Sequence, residues 1–186
     1  MPAPRSLAEL ERDVARDLEL IAHPRAPWLE PKSCRGEPVL DVLLIGAGQS
    51  ALAVAFALLR DKVTNILCID RAEEGLEGPW LTYARMHTLR SWKDQTGPDL
   101  HVPSLTYQAW HEARWGAEDF AAMRYIPKEK WAAYLAWFRR VTGIPVRNRV
   151  EAGEIVPDRT DDGLPCLAVA TSAGTIRARK VVLAAG

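Results

Sequence analysis

The residues best suited to chemistry in this chain are small ones, grouped as Gly46-Ala47-Gly48-Gln49-Ser50-Ala51. Their G-x-G-x-x-A spacing is typical of a turn that lets a pyrophosphate approach the backbone. Gly46 permits the sharp turn, Gly48 leaves room beside the backbone, and Ala51 lets a following helix pack closely. A helix N-terminus here presents N–H groups and partial positive charge to phosphate. The pattern predicts a dinucleotide-binding turn; the alternative is a tight turn that binds nothing.

An acidic side chain follows where a ribose would lie. Asp70 ends an apolar run at residues 65–69, and Arg71 comes next. A carboxylate at the end of the second strand of such a unit accepts hydrogen bonds from a ribose hydroxyl. We therefore predict that Asp70 binds ribose. Arg71 keeps a nicotinamide dinucleotide as an alternative ligand.

These residues need a strand before them and a helix after them. Asp41-Val42-Leu43-Leu44-Ile45 is mostly apolar, which favours a parallel strand buried on both faces. Residues 52–59 are rich in Ala and Leu, which favour a helix. Residues 65–69 predict the next strand. The fold class is therefore α/β, with a Rossmann-like parallel sheet.

The N-terminal region has a different pattern. Ser6 and Glu9 have the spacing of a capping box, and apolar residues then recur every three or four positions from Leu7 to Ile21. This predicts an amphipathic helix that packs on the domain or, alternatively, binds a partner. Residues 23–38 are rich in Pro and polar residues and predict an extended linker. We therefore divide the chain at residue 38, with the dinucleotide-binding domain at 39–186.

The second half of the chain mixes an irregular stretch, helices and strands. Residues 88–100 have no clear periodicity, so they form either a functional or mobile loop or an ordinary surface loop. Residues 107–115 and 127–141 predict helices, and the aromatic residues of the second predict core packing. Turns around residues 161–163 and 172–174 predict an antiparallel meander. Its strands are expected at 144–147, 154–156, 164–170 and 175–179, and a separate buried parallel strand follows at 180–186.

Composition excludes several function classes. The 186 residues carry 24 basic and 24 acidic side chains, which argues against nucleic acid or an anionic membrane as the main partner. No apolar run approaches the roughly 20 residues of a membrane span. The N-terminus has no apolar signal core, so we expect a cytoplasmic protein. Cys34, Cys68 and Cys166 form no C-x-x-C pair, which predicts free buried thiols and no metal site.

The order of these parts resembles the FAD-binding half of flavin-dependent monooxygenases. That group contains the flavin-containing monooxygenases, the Baeyer–Villiger monooxygenases and the lysine/ornithine N-hydroxylases. The resemblance rests on the glycine motif, on Asp70, on Glu77-Gly78-Pro79-Trp80, which is similar to their G-G-x-W, and on Val181-Val182-Leu183-Ala184-Ala185-Gly186, which is similar to their A-T-G strand. It covers roughly residues 39–186 and implies an FAD-binding Rossmann-like domain with a meander insert.

The resemblance also implies roles for single residues. The FAD pyrophosphate would contact Gly46, Gly48, Gln49 and Ser50, and the adenosine ribose would contact Asp70. Trp80 and the neighbourhood Lys93-Asp94-Gln95 would lie toward the flavin ring, with Gln95 as a cofactor contact. Val150 resembles the backbone contact to adenine. Two residues depart from the family: Asp70 replaces the usual Glu, which shortens the reach, and Ala185 replaces the Thr of A-T-G. No catalytic residue is identified.

The resemblance also implies a missing part. In that family a second glycine fingerprint, for NADPH, and a returning strand lie beyond the A-T-G strand, where this sequence stops. We therefore expect the N-terminal portion of a flavoprotein, as a fragment, a split subunit or the product of a decayed gene. It is expected to be inactive alone, and either to bind a C-terminal half or to self-associate. NADPH is expected only with the missing part.

Two other functions stay open from the sequence. An NAD-dependent dehydrogenase of the short-chain type needs Tyr-x-x-x-Lys, and none of Tyr83, Tyr107, Tyr125 and Tyr134 has Lys at that spacing. A non-enzymatic dinucleotide-binding remnant or partner-binding module would use the helix at residues 7–21 as its contact. Flavin absorption of the purified protein separates the monooxygenase hypothesis from this last one.

Overall fold

A computed structural model describes residues 6–95 and 97–186. The helices are α1 (Leu7–Leu20), α2 (Gln49–Arg60), α3 (Tyr107–Trp115), α4 (Ala117–Ala122) and α5 (Lys128–Thr142), with a 3₁₀ turn at Pro103–Leu105. The strands are β1 (Lys32–Cys34), β2 (Glu37–Ile45), β3 (Ile66–Ile69), β4 (Val146–Arg147), β5 (Ala152–Arg159), β6 (Pro165–Thr171) and β7 (Gly174–Leu183). The chain forms two compact units. A helical unit combines the described residues up to Ala22 with Pro79–Gly143, and a sheet unit combines His23–Gly78 with Ile144–Gly186.

The sheet unit is built around β2. In the described residues, the seven-stranded sheet has the order β4-β3-β2-β7-β6-β5, with β1 paired to β2 beside this path. The strands β3 and β7 both run parallel to β2, and β6 and β5 continue antiparallel beyond β7. Leu43 and Leu44, on opposite faces of β2, are both fully buried. The strand is therefore covered on both sides, as its unbroken apolar run predicts.

The last strand differs from the prediction. Instead of a meander strand followed by a separate parallel strand, β7 is one continuous strand from Gly174 to Leu183. It pairs antiparallel with β6 up to Ala178 and parallel with β2 from Ala178 onward. Since β6 leaves β7 at Ala178, the end of β7 has a strand neighbour only on the β2 side among the described residues. The predicted burial of this end is only partial: Val181 and Val182 are half-buried and Leu183 is 73% exposed, in agreement with the expectation of an open strand edge.

The predicted linker is partly a β-hairpin. β1 pairs antiparallel with the start of β2, and Arg35 and Gly36 make the turn with positive φ angles. The Asp161 carboxylate accepts hydrogen bonds from the Ser33 hydroxyl and from the backbone N–H groups of Arg35 and Gly36. These hydrogen bonds, the Ser33 one first, lower the pKa of Asp161. The hairpin therefore depends on a residue more than a hundred positions away, which local composition does not reveal.

The helical unit confirms the aromatic core. The capping box at Ser6 and Glu9 is present, and α1 buries Leu10 and Val14. The buried face of α5 includes Trp131, Tyr134 and Phe138, in agreement with the sequence pattern. The helices α1 and α3 pack against one another, and the Glu11 carboxylate accepts hydrogen bonds from Trp137 Nε1 and the Arg140 guanidinium.

One histidine is sealed inside the helical unit. His111 is fully buried; its Nδ1 lies 3.2 Å from the Tyr107 hydroxyl and its Nε2 lies 2.6 Å from Asp119 Oδ1. Lys130 Nζ contacts the same Asp119 oxygen at 3.1 Å. Burial lowers the pKa of His111, and its hydrogen bond to Asp119 opposes that effect. Burial also raises the pKa of Tyr107. The net effect at His111 therefore favours the neutral imidazole.

The other sequence expectations concern loops, thiols and membrane spans. The described residues between 88 and 100 form no helix or strand; Thr88 makes one isolated β-bridge, to Pro127. Cys34, Cys68 and Cys166 are free and buried, as predicted. Among residues 6–95 and 97–186, no helix is long and apolar enough to cross a membrane. The same residues contain no cluster of His, Cys, Asp and Glu able to hold a metal ion.

Candidate dinucleotide site at the glycine turn

The candidate site lies at the carboxyl end of β2. The chain leaves β2 through the glycine motif and enters α2, as predicted. At this end β2 has a parallel neighbour on each side, β3 and β7, reached by connections that diverge in opposite directions along the sheet. Such a point, where the strand order reverses, forms a crevice in which α/β proteins bind their ligands.

Gly46 makes the turn and has no room for a side chain. Its φ angle is +111°, and its N–H donates to the Ile69 carbonyl at 2.7 Å. A Cβ at this position would lie 2.4 Å from the Ala184 carbonyl oxygen. Glycine is therefore required here by the protein itself, because the ends of β2, β3 and β7 meet at this point.

Gly48 is different, because the protein leaves space beside it. Its φ angle is −73°, which any residue adopts, and a Cβ would make only ordinary contacts, with the Gly78 Cα at 3.6 Å and the Gly78 N at 3.9 Å. Gly48 is the N-cap of α2 and supplies no side-chain cap. Two glycine backbones therefore face each other next to a helix N-terminus, a cradle that a side chain would fill. This arrangement fits a pyrophosphate better than it fits any protein group.

The first turn of α2 contains the remaining motif residues. Gln49 is half-buried and Ser50 is exposed, whereas Ala51 is fully buried against the sheet. The first turn contains no acidic side chain that would repel an anion. Gln49 and Ser50 therefore remain predicted phosphate contacts, at a helix end with the right polarity.

Asp70 is anchored at the end of β3. Its Oδ2 accepts a hydrogen bond from the Ala47 N–H, and its Oδ1 accepts one from the Ala72 N–H, both at 2.8 Å. The carboxylate therefore ties the glycine turn to the loop after β3. Each carboxylate oxygen has a second lone pair, so a ribose hydroxyl can still donate to it. The exposed Arg71 follows directly.

Val150 lies beside Asp70 through the main chain. Its N–H donates to the Asp70 carbonyl at 2.9 Å, and its side chain is buried in the core of the sheet unit. The N–H is therefore already used by the protein. A backbone contact to adenine, as the family resemblance implies, would use the Val150 carbonyl and an adenine amino group.

Two residues that shape this site were not predicted as site residues. Asn148 donates from Nδ2 to the Ala72 carbonyl at 3.2 Å and to Glu77 Oε1 at 2.6 Å. Glu77 Oε2 accepts from the Gly75 N–H at 2.8 Å. Together they hold the loop between β3 and Gly78, which brings Gly78 opposite Gly48. Glu77 was noticed only as part of a glycine motif, and no sequence spacing links Asn148 to it.

Trp80 and Gln95 belong to the helical unit. Trp80 is half-buried, and its ring centroid lies 6.5 Å from that of Trp131 in an edge-on arrangement. Its indole N–H has no hydrogen-bond partner among the residues that the structure describes. Gln95 is exposed. The neighbouring Lys93 donates from Nζ to the Phe120 carbonyl at 2.7 Å and so caps α4. A role for these residues at the flavin ring remains a prediction.

The chemistry of the sheet-unit residues is that of a binding site. Backbone N–H groups at a helix start, paired glycines and an anchored carboxylate fit the pyrophosphate and ribose of a dinucleotide. None of these groups forms an acid–base pair or an activated nucleophile of the kind that transfers a proton or attacks a substrate.

Comparisons with known proteins agree with this geometry. A family model described as FAD-NAD(P)-binding matches residues 43–186. The FAD-dependent urate hydroxylase of Xanthomonas campestris pv. campestris is 46% identical over 181 residues, which cover 97% of this chain and 38% of that protein. This chain therefore spans well under half of its curated relative.

Solved structures show the same fold. The ornithine hydroxylase of Pseudomonas aeruginosa has a TM-score of 0.62 at 18% identity, over 78% of this chain and 38% of that one. The L-lysine 6-monooxygenase of Pseudomonas syringae has a TM-score of 0.61 at 20% identity, over 79% of this chain and 37% of that one. A flavin-containing monooxygenase from Stenotrophomonas maltophilia has a TM-score of 0.54 at 22% identity, over 80% of this chain and 38% of that one.

Proposed function

Because this chain belongs to the FAD-NAD(P)-binding family, we propose that it is the FAD-binding portion of a flavin-dependent monooxygenase. We further propose urate as the substrate of the complete enzyme, since the urate hydroxylase is 46% identical over nearly the whole of this chain. The predicted Rossmann-like FAD-binding fold is confirmed by the structure and its solved neighbours.

The observation that carries the FAD proposal is the empty space at Gly48. The protein does not need a glycine there for its own backbone, because φ is −73° and a Cβ would make only an ordinary contact. Gly48 lies at the N-terminus of α2, where the strand order of the sheet reverses. Its lack of a side chain therefore indicates a ligand that approaches the backbone.

The residues of this chain then have simple tasks. The start of α2 binds the pyrophosphate, and Asp70 orients the adenosine ribose while holding the glycine turn closed. FAD, when bound, supplies the redox chemistry of the monooxygenase reaction. Binding of NADPH and of urate is assigned to the part of the enzyme that corresponds to the rest of the longer relatives.

The test is FAD titration of the Gly48→Val variant, followed by flavin fluorescence. The valine side chain fills the cradle, so we expect FAD affinity to fall by more than about a hundredfold, close to 3 kcal/mol. Circular dichroism and thermal melting should show a folded protein. Gly153→Ala, in β5, is the control: its Cβ would lie 3.5 Å from the Ala170 carbonyl oxygen, a comparable contact away from the cradle. Unchanged FAD affinity in a folded Gly48→Val protein would disprove the pyrophosphate assignment.

The exposed end of β7 supports a second part of the proposal, which concerns partners. Within residues 6–95 and 97–186, β7 is paired on one side only from Arg179 onward, and Leu183 is largely exposed. A strand edge of this kind pairs readily with another strand. We expect it to bind the C-terminal half of the enzyme or, without that half, a second copy of this chain.

Light scattering and oxygen consumption test this partner proposal. The isolated chain with FAD should self-associate and should show no NADPH-driven oxygen consumption. A monodisperse monomer that oxidises NADPH with FAD and urate would contradict it. The cytoplasmic location and the boundary at residue 38 also remain predictions.

A further inference from the structure

Two of the three cysteines lie together. Cys34 in β1 and Cys166 in β6 share one small buried cluster with Val39, at 1% and 4% exposure. Burial raises the pKa of Cys166 most, and the neighbouring Cys34 raises it further. Cys68 lies elsewhere, in β3. The pair has no sequence signature, because its members come from distant parts of the chain.

Charged groups surround this thiol pair. The Cys34 thiol donates to Asp158 Oδ2 at 3.7 Å, and Arg177 Nε donates to the same oxygen at 2.9 Å. Arg35 contacts the other carboxylate oxygen at 3.3 Å. The Arg177 guanidinium lowers the pKa of Cys166, in opposition to the effect of burial. Burial, Cys34 and the Asp158 carboxylate outweigh Arg177 and raise the pKa of Cys166, so its thiolate, which is the reactive form of cysteine, becomes more abundant only as the pH rises.

One of the two buried cysteines borders a cavity. Cys166 lines an open cavity of about 710 Å³ between β5, β6 and the exposed edge of β7. Cys34 does not line this cavity. A small oxidant therefore reaches Cys166 first, and Cys34 is positioned to react with the product.

We propose that Cys34 and Cys166 form a redox-active pair that hydrogen peroxide converts into an intramolecular disulfide. The Cys166 thiolate attacks one peroxide oxygen, the O–O bond breaks, and the other oxygen leaves as water after taking up a proton. The resulting Cys166 sulfenic acid is attacked at sulfur by Cys34. The S–S bond forms, the S–O bond breaks, and a second water leaves with the Cys34 proton. Two thiols are oxidised and one peroxide is reduced to two waters.

The disulfide would act on the sheet unit. It would link the β1–β2 hairpin to β6 across a long stretch of chain, and such a link restricts the unfolded state strongly. It would also fix one wall of the cavity beside the β7 edge. Oxidation would therefore stabilise the hairpin and change how this edge receives another strand.

The test uses the purified full chain, freed of reductant and treated with hydrogen peroxide, with catalase-quenched samples analysed by mass spectrometry. We expect the protein to lose two hydrogen atoms and to yield a peptide that links Cys34 to Cys166. Disulfide formation should be faster at about pH 8.5 than at neutral pH, because it requires a thiolate. Two of the three thiols should become unreactive to a thiol reagent, and the melting temperature should rise.

Matched variants separate this pair from general thiol oxidation. Cys68→Ser should form the same disulfide as the wild type. Cys34→Ala should form none and should instead accumulate a Cys166 sulfenic acid that dimedone traps, whereas Cys166→Ala should show neither product. Retention of all three thiols in the wild type, or a linkage that includes Cys68, would overturn the proposal. The wild-type peptide map decides the matter even if a variant does not fold.

Discussion

The same added methyl group should destabilise the fold much more at Gly46 than at Gly48. In Gly46→Ala the new Cβ lies 2.4 Å from the Ala184 carbonyl oxygen and 2.7 Å from its carbon. Both are backbone atoms of the chain that follows β7, so they cannot move aside alone. The residue must also keep a φ angle of +111°. In Gly48→Ala neither problem arises.

The expected magnitudes follow from these contacts. Holding a non-glycine residue at such a φ costs about 1–3 kcal/mol, and overpacking a tight site costs about 1–3 kcal/mol more. Gly46→Ala should therefore destabilise by roughly 2–6 kcal/mol. Gly48→Ala changes only the N-cap residue, where alanine is worse than glycine by about 0.5–1 kcal/mol. For a chain of this length, each kcal/mol lowers the melting temperature by roughly 2–4 °C.

The assay is thermal and urea unfolding of both variants without FAD, with Gly153→Ala as the reference. We expect Gly46→Ala to melt at least about 4 °C below the wild type and Gly48→Ala to melt at most about 4 °C below it, with Gly46→Ala the less stable of the two. FAD titration should then show weak binding in both. The reasoning is refuted if Gly46→Ala melts with the wild type, or if Gly48→Ala loses as much stability as Gly46→Ala.

Three further predictions concern single side chains. Asp70→Ala should weaken FAD binding by about 1–3 kcal/mol in a fluorescence titration, whereas Asp70→Glu should retain most of the affinity; equal affinity in Asp70→Ala and wild type would leave Asp70 only a structural role. Leu10→Ala should lower the free energy of unfolding in urea by about 2–5 kcal/mol, because Leu10 is fully buried. Leu20 is exposed, so Leu20→Ala should lower it by less than about 0.5 kcal/mol. Similar losses in the two variants would contradict the packing of α1. Burial lowers the pKa of His111, so the unfolded chain binds more protons and stability should fall between about pH 7 and pH 5. His111→Gln should flatten this decline in pH-dependent melting curves, and the exposed control His87→Gln should not.

Local signals were enough to predict much of the fold. The helix α3 has the predicted bounds because Thr106 caps it, with its hydroxyl accepting from the Ala109 N–H, and Gly116 ends it. The glycine turn was predictable because few residue types tolerate the geometry of Gly46. Hydrophobic spacing likewise identified α5 and its buried face.

What the sequence did not reveal depends on distant partners. β7 continues past Ala178 because β2 offers it a new edge where β6 departs. β1 exists because Asp161 holds its turn. Asn148 and Glu77 shape the candidate site through a hydrogen bond between residues 71 positions apart. None of these contacts leaves a periodic pattern in the residues that make it.

The pairing of β2 with β7 sets the order in which the sheet can assemble on the ribosome. Leu40 in β2 pairs with Ala178 in β7, so β2 is synthesised long before its second neighbour. At roughly 5–20 residues per second, translation of the intervening chain takes on the order of ten seconds. During that interval β2 can pair with β3 and β1, but its β7 side stays open with an apolar strand behind it. The nascent sheet is therefore most prone to aggregate before β7 emerges, and slower translation in that interval should increase its need for chaperones.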